Sequence, residues 1–295
     1  MTDVWVAPIF NPIAFSIGPL SVRWYALAYI VGLLGGWFYA RQLAKRETLW
    51  GEQKPPSMLN IDDLIVYVAL GVVLGGRLGQ VLFYDLSYYL KHPLEILMVW
   101  RGGMSFHGGL LGSLLAVAVY SHSRRLDMFS MFDLCCTVVP IGLFLGRIAN
   151  FINGELWGRP APGVPGFPNF PYAMIFPTAE DDIPRYPSQL YEALAEGFLL
   201  FLLMALAVRL FGFRRPGTLS GIFLIGYAVA RSICELFREP DIGFLFESDW
   251  SVLGGGLTMG MLLSLPMFVC GVLIVVLARK GWTKGIAAGP GTNAA

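Results

Sequence analysis

Charge is scarce in this 295-residue chain, where Asp, Glu, Lys and Arg make up 14% of residues, against about a quarter in ordinary soluble domains. That shortage excludes a soluble globular protein. A formal net charge of +1 offers no electrostatic footprint for nucleic acid, so no nucleic-acid partner is expected. Histidine occurs three times. The four cysteines, Cys135, Cys136, Cys234 and Cys270, all lie in apolar stretches without metal-like spacing, and they read as small buried apolar residues. No metal and no cofactor is expected. There is no Gly-x-Ser-x-Gly elbow for an acyl-serine mechanism and no phosphate-binding P-loop. Convincing internal repeats are missing, which weakens an inverted-repeat transporter.

What is abundant is apolar. Hydrophobic residues make up 56% of the chain, and its mean hydropathy is +0.62. Apolar runs occupy 18–40, 64–84, 104–121, 131–149, 190–211, 219–237 and 257–279. Each approaches the roughly 20 residues that a helix needs to cross a bilayer. The expectation is an all-α, polytopic integral membrane protein forming one domain over 1–295 with about seven transmembrane helices. The count drops to six if one of the two short runs is re-entrant. Twelve Lys and Arg fall after the first, third, fifth and last runs, and five fall in the opposite loops. The positive-inside rule then puts the N-terminus outside and the C-terminus in the cytoplasm. Residues 1–14 lack a basic n-region, so no cleavable signal peptide is expected there.

Two outer loops are long. Residues 84–106 include an apolar piece, 93–100, with the composition of an interfacial helix. Residues 155–187 hold eight of the 19 prolines and are expected to form a compact outer cap, because proline stiffens an extended chain and blocks a long helix. A helix restarts at Pro187-Ser188-Gln189-Leu190-Tyr191-Glu192, with Ser188 as its expected N-cap. Glycines spaced by four (Gly71, Gly75 and Gly79; Gly142 and Gly146; Gly217 and Gly221) suggest close helix packing.

Against this apolar background, a few polar residues stand out. The stretch 146–159, GRIANFINGELWGR, continues the fourth run while carrying Arg147, Asn150, Glu155, Gly158 and Arg159. Ionisable residues at that depth usually line a polar cavity. In the sixth run, Tyr227, Arg231 and Glu235 are spaced by four, with Arg238 three further on, so they share one helix face. Arg231 and Glu235 can form an i, i+4 ion pair that merely neutralises itself. Adding Arg147 would leave a net positive pocket for an anion. At the outer membrane boundary a phospholipid headgroup is the favoured ligand, since arginine binds phosphate bidentately and is weakly hydrated.

His107, in Gly103-Met104-Ser105-Phe106-His107-Gly108-Gly109-Leu110, sits at the outer mouth of the third run. It is either a general base or a hydrogen-bonded cap of the helix entrance. Tyr25 opens the first run and is, on physics alone, an interfacial belt residue. Arg77 either snorkels or pairs with Asp62, Asp63 or Asp133.

Over nearly its whole length the chain resembles the prolipoprotein diacylglyceryl transferase family. The likeness rests on the His107 segment, the 146–159 signature, the Pro187 to Glu192 motif and the Tyr227/Arg231/Glu235 stripe. It implies transfer of the diacylglyceryl group of phosphatidylglycerol to the lipobox cysteine thiol of a prolipoprotein signal peptide, giving a thioether and releasing glycerol-1-phosphate. Activity would then involve His107, Tyr25, Arg147 and Arg231 as catalytic residues, with Asn150, Glu155, Gly158, Tyr227 and Glu235 binding substrate. It also implies the bacterial inner membrane, lipid partners and a site toward the outer face. Three positions depart from the family pattern: Ala149 for a frequent glycine, Tyr186 for a frequent histidine and Met261 for a frequent glutamine. The competing reading is a non-catalytic phospholipid or anion transporter using the same arginines.

Overall fold

The computed structural model describes residues 5–18, 20–161, 173–179, 181–239 and 258–283. Pro162, Pro165, Pro168 and Pro171 of the proline-rich loop, and the basic Lys284, lie outside these residues.

Helices dominate, and they follow the apolar runs. They are α1 (Trp24–Ala44), α2 (Met58–Phe83), α3 (Leu86–Lys91), α4 (Phe106–Ser123), α5 (Met128–Asn153), α6 (Ser188–Glu192), α7 (Leu200–Phe211), α8 (Thr218–Cys234) and α9 (Met259–Arg279). A π-helical segment, Ala193–Leu199, joins α6 to α7, so Ser188–Phe211 is one continuous rod. By length and composition, Met58–Phe83, Met128–Asn153, Ser188–Phe211 and Met259–Arg279 are suited to crossing a membrane, and Thr218–Cys234 is a shorter apolar helix. This is the architecture of an all-α polytopic membrane protein.

Local chemistry sets the helix starts. Ser57, Ser105, Asp127 and Thr258 each accept from a backbone N–H three residues on, at 3.2, 3.2, 2.7 and 3.3 Å, which satisfies a donor that the helix itself cannot. Ser188 departs from expectation: its hydroxyl donates to Leu156 O at 2.9 Å and does not cap α6. The first helix also starts later than its apolar run. Strands β2 (Ile13–Ile17) and β3 (Leu20–Arg23) pair as an antiparallel hairpin, with Gly18 after β2 at φ +58°. Alternating Ile, Phe and Val suit a strand as well as a helix, and hydropathy alone cannot separate the two. A three-stranded sheet of two-residue strands orders β1 (Trp5–Val6), β4 (Met174–Ile175) and β5 (Pro184–Arg185).

The buried aliphatic and aromatic core lies toward the basic end of the bundle. There Trp50 stacks on Phe213 at 4.3 Å, beside the fully buried Tyr120, Met131, Leu134, Met204 and Leu219. Asp133 of α5 anchors the start of α8, accepting from Gly217 N at 2.8 Å and from Ser220 N and Oγ at 2.7 and 2.6 Å. Rows of large apolar side chains stay exposed on the helix flanks, such as Tyr29, Ile30, Leu34 and Phe38 on α1. Lipid is the solvent for such faces.

Helices α2 and α4 approach backbone to backbone. A Cβ on Gly75 would stand 2.4 Å from Gly108 O, and one on Gly108 would stand 2.3 Å from Gly75 O. The Gly71/Gly75/Gly79 spacing therefore does the packing that its sequence suggests. Gly142 and Gly146 differ, since an added Cβ at either would meet open space.

Candidate active site

Three helices bring their charged residues to one place. Helix α5 contributes Arg147, the α6–π rod contributes Glu192 and Glu196, and α8 with its C-terminal turn contributes Arg231, Glu235 and Arg238. Arg147 Nη1 lies 2.9 Å from Glu192 Oε2, and its Nη2 lies 3.2 Å from Glu196 Oε2. Arg231 Nη1 is 3.1 Å from Glu192 Oε1 and 3.4 Å from Glu196 Oε1. Its Nη2 meets Glu235 Oε2 at 2.9 Å, the i, i+4 pair expected from spacing. Arg238 Nη1 is 3.3 Å from Glu192 Oε1.

The balance of charge corrects the sequence reading. Three arginines face three carboxylates, so the cluster is formally neutral among these six residues and not net positive. Sequence reasoning placed Arg238 on the stripe of the sixth run, but it missed Glu196 and read Glu192 only as part of a helix start. The signal was present: two carboxylates four apart inside an apolar run obey the same rule that singled out Arg147. Glu192 and Glu196 are fully buried, while the side chains of Arg147 and Arg231 keep 17% and 15% exposure. The carboxylates form the floor and the guanidiniums the accessible layer. Glu192 Oε2 and Glu235 Oε2 lie close to guanidinium nitrogens but off the N–H axes, so charge attraction rather than a hydrogen bond holds them. Each guanidinium has five N–H donors, and the contacts of Arg147 and Arg231 leave donors on these two for another oxyanion.

Backbone packing fixes the rod. Gly197, in the π segment, is so close to α5 that a Cβ would stand 2.6 Å from Phe144 Cα. A π turn inside an α-helix is a frequent mark of a functional site.

The remaining expected residues fall into separate places. Tyr227, on the face of Arg231, stacks on Phe223 at 6.0 Å and lies within electrostatic reach of Arg147, Arg231 and Glu196. Asn150 is buried but does not hold an arginine. Its Nδ2 donates to Glu155 Oε1 at 2.8 Å, joined by Asn153 at 3.3 Å. Glu155 O in turn accepts from Gln189 Nε2 at 2.7 Å. Asn150 and Glu155 thus lock the end of α5, with Gly154 as its left-handed C-cap at φ +65°, onto the start of α6.

Gly158 is a crossing point of three segments. Its N–H donates to Tyr186 O at 2.8 Å, and it bridges Arg238. A Cβ there would stand 2.4 Å from Phe237 O and 2.6 Å from Tyr186 O, so only glycine fits. Nearby, Arg159 Nε donates to Arg238 O at 2.8 Å. Burial pulls the Arg159 guanidinium below its ordinary pKa, opposed by Glu235 and Glu239. Tyr186 is buried, edge-on to Phe237 at 5.5 Å, and burial raises its phenol pKa. Arg185 pairs with Asp181 and Glu239 and holds the Asp181 carboxyl below the usual range.

Tyr25 is half-buried at the start of α1, 5.2 Å ring to ring from Tyr29, which lies within electrostatic reach of Arg147. His107 is exposed in the first turn of α4, edge-on to Phe106 at 5.7 Å. Among the described residues no hydrogen bond or ion pair joins it to the arginines. Nor is any group of three His, Cys, Asp or Glu among them placed to hold a metal ion.

The family model for prolipoprotein diacylglyceryl transferase matches residues 12–277. The phosphatidylglycerol–prolipoprotein diacylglyceryl transferase of Methylocella silvestris is 54% identical over 95% of this chain and 98% of its own length. The protein of the same name from Beijerinckia indica subsp. indica is 53% identical over 93% and 96%. That from Rhodospirillum rubrum is 51% identical over 92% and 94%.

Proposed function

The chain belongs to the prolipoprotein diacylglyceryl transferase family, and on that premise we propose how it works as a multi-pass bacterial membrane enzyme. It transfers the diacylglyceryl group of phosphatidylglycerol to a prolipoprotein, and the arginine–glutamate cluster is the seat of the lipid phosphate. One observation carries this reading: Arg147 and Arg231 come from different helices yet share the buried Glu192 carboxylate. Two guanidiniums are thereby held side by side, with their exposed edges free to grip a phosphate.

The chemistry follows from charge. The lipobox thiol gives up its proton, and the resulting thiolate attacks the glyceryl carbon that carries the phosphate oxygen. A C–S bond forms, the C–O bond breaks, and glycerol-1-phosphate leaves with the electron pair. Negative charge grows on the departing phosphate, so guanidiniums already oriented toward it stabilise the transition state more than the ground state. His107 is the base that takes the thiol proton, since imidazole is the side chain best suited to proton transfer near neutrality. Tyr25 orients lipid or thiol. Glu235 and Tyr227 steady Arg231, while Asn150, Glu155 and Gly158 build the wall beside the cluster.

Seven helices span the inner membrane, with the N-terminus outside and the C-terminus in the cytoplasm. The twelve-to-five bias of Lys and Arg supports that orientation. The described residues of the proline-rich loop, 155–161, 173–179 and 181–187, form a cap over the site, and 84–106 lie along the outer surface. Purified protein incubated with phosphatidylglycerol and a lipobox peptide should add the mass of one diacylglyceryl group to the peptide cysteine. No mass gain, or lipid movement between leaflets without one, would favour the transporter reading.

A further inference from the structure

Arg77 is a buried cation that the transfer reaction as drawn leaves unused. It lies on α2 and is 4% exposed. Its Nε donates to Ile96 O at 2.9 Å, and its Nη1 to Gly102 O and Gly103 O at 2.6 and 3.1 Å. Its Nη2 donates to Glu95 O, and the Tyr89 ring lies under the guanidinium at 5.0 Å. None of the three aspartates considered from sequence is its partner. Asp62 takes Arg41 and Trp37, Asp63 takes Arg124, and Asp133 takes the start of α8. Among the described residues Arg77 has no ion pair.

A planar fork is what this job requires. The carbonyls come from two separate points of the chain, 95–96 and 102–103, and one guanidinium reaches both in fixed directions, which a lysine ammonium cannot. Gly102 and Gly103 have φ +86° and +74°, the left-handed region that lets both carbonyls turn toward α2. Two residues later Ser105 N donates to Gly76 O at 2.9 Å, and Ser105 Oγ caps α4 at Gly108 N. His107 sits between these fixed points. The entrance of α4 is therefore tied to neighbouring residues of α2, Gly76 through a carbonyl and Arg77 through its guanidinium.

We propose that Arg77 is a positioning residue for diacylglyceryl transfer: by holding the Glu95–Gly103 segment it sets where α4 begins and where His107 stands. This rests on reading His107 as a residue of the active site. The test uses the full-length protein in phosphatidylglycerol-containing nanodiscs with a lipobox peptide. Displacing a reacting group by about 1 Å costs on the order of 100-fold, so Arg77→Ala should lose about that much in kcat while KM for phosphatidylglycerol stays within about twofold. Added methylguanidinium should restore much of the lost rate by refilling the fork.

A second readout is the rate of carbethoxylation of His107, mapped by peptide mass, with His122 at the far end of α4 as internal reference. It should change several-fold in Arg77→Ala and return with methylguanidinium. Lost transfer that methylguanidinium does not restore, with His107 labelling as in the parent, overturns the proposal. Should Arg77→Ala fail to insert, Arg77→Lys decides: reduced kcat with altered labelling supports the clamp, and full transfer with parent-like labelling overturns it. His107→Gln run in parallel tests the underlying reading separately. Full transfer in that variant rejects His107 as base, while the labelling in the Arg77 variants still reports whether the clamp positions α4.

Discussion

Arg147 on α5 and Arg231 on α8 grip opposite oxygens of one buried carboxylate, that of Glu192, at 2.9 and 3.1 Å. Separated by more than eighty residues in sequence, the two guanidiniums become neighbours because a shared anion offsets their repulsion. A cluster arranged this way is poised: its charges are neutralised from below and still accessible from above.

Glu192→Gln should therefore damage the site by leaving the arginines without their shared anion. Breaking a buried ion pair by removing one partner typically costs about 3–5 kcal/mol. A marked fall in the thermal unfolding midpoint in detergent, together with strongly reduced transfer, is expected. A variant with parent stability and activity would show that Glu192 is a bystander.

Arg147→Ala should weaken the binding of phosphatidylglycerol itself, because its contact with the phosphate exists before the reaction begins. Loss of a charge-assisted hydrogen-bonding partner is worth about 1.5–3 kcal/mol, roughly 10- to 150-fold in affinity. Titration of the variant with phosphatidylglycerol in mixed micelles measures this directly. Unchanged affinity would rule out a phosphate clamp.

His107→Gln should separate binding from chemistry. The ring is exposed and makes no described hydrogen bond, so the amide is expected to leave the fold and lipid affinity intact. Removal of a general base costs about 10²–10⁴-fold, so single-turnover transfer to the lipobox peptide should fall within that range. Transfer at the parent rate would end the assignment.

Gly158→Ala should fail for steric reasons. The new methyl carbon would meet two backbone carbonyl oxygens, Phe237 O and Tyr186 O, closer than van der Waals contact allows. Backbone cannot swing aside as a side chain can, and overpacking of this kind costs about 1–3 kcal/mol. Arg238 follows Phe237 directly, so the displacement should reach the cluster and lower transfer as well as stability. A crystal or cryo-EM structure of the variant with Phe237 unmoved would contradict this account.

Asp181→Asn carries a pH signature. Pairing with Arg185 depresses the folded-state pKa of Asp181, so its contribution is present above the unfolded carboxylate value of about 3.9 and is lost as pH falls through the lower folded value. The variant should be less stable than the parent at pH 7, and the difference should close as the medium becomes strongly acidic. Melting curves at several pH values test the direction. A gap that widens in acid would refute the pairing.

How much of this was legible beforehand depends on what kind of force decides each feature. The helices could be placed because a bilayer demands long apolar segments, and both the runs and their polar interruptions are one-dimensional facts. Arg147 and the Tyr227/Arg231/Glu235 stripe stood out because a charge in hydrocarbon needs a reason. The hairpin at 13–23 escaped because hydropathy does not record backbone conformation. The neutrality of the cluster escaped because charge balance in a cavity depends on which helices meet, and the α6–π rod that supplies Glu192 and Glu196 is brought to α5 only by packing such as Gly197 against Phe144. Asn150 stood out as a polar residue at membrane depth, but its partner, Glu155, is set by the turn at Gly154.

The sequence by itself determined the membrane class, the family and most of the polar residues from which a site can be built, since these follow from composition, spacing and motif. Only the tertiary structure decided their partners: that three carboxylates underlie three arginines, that Arg77 serves backbone carbonyls instead of an aspartate, and that Gly158 is required by close approach. Partnership is a matter of distance in three dimensions, and electrostatic and hydrogen-bond energies fall off too steeply with distance for spacing along the chain to stand in for it.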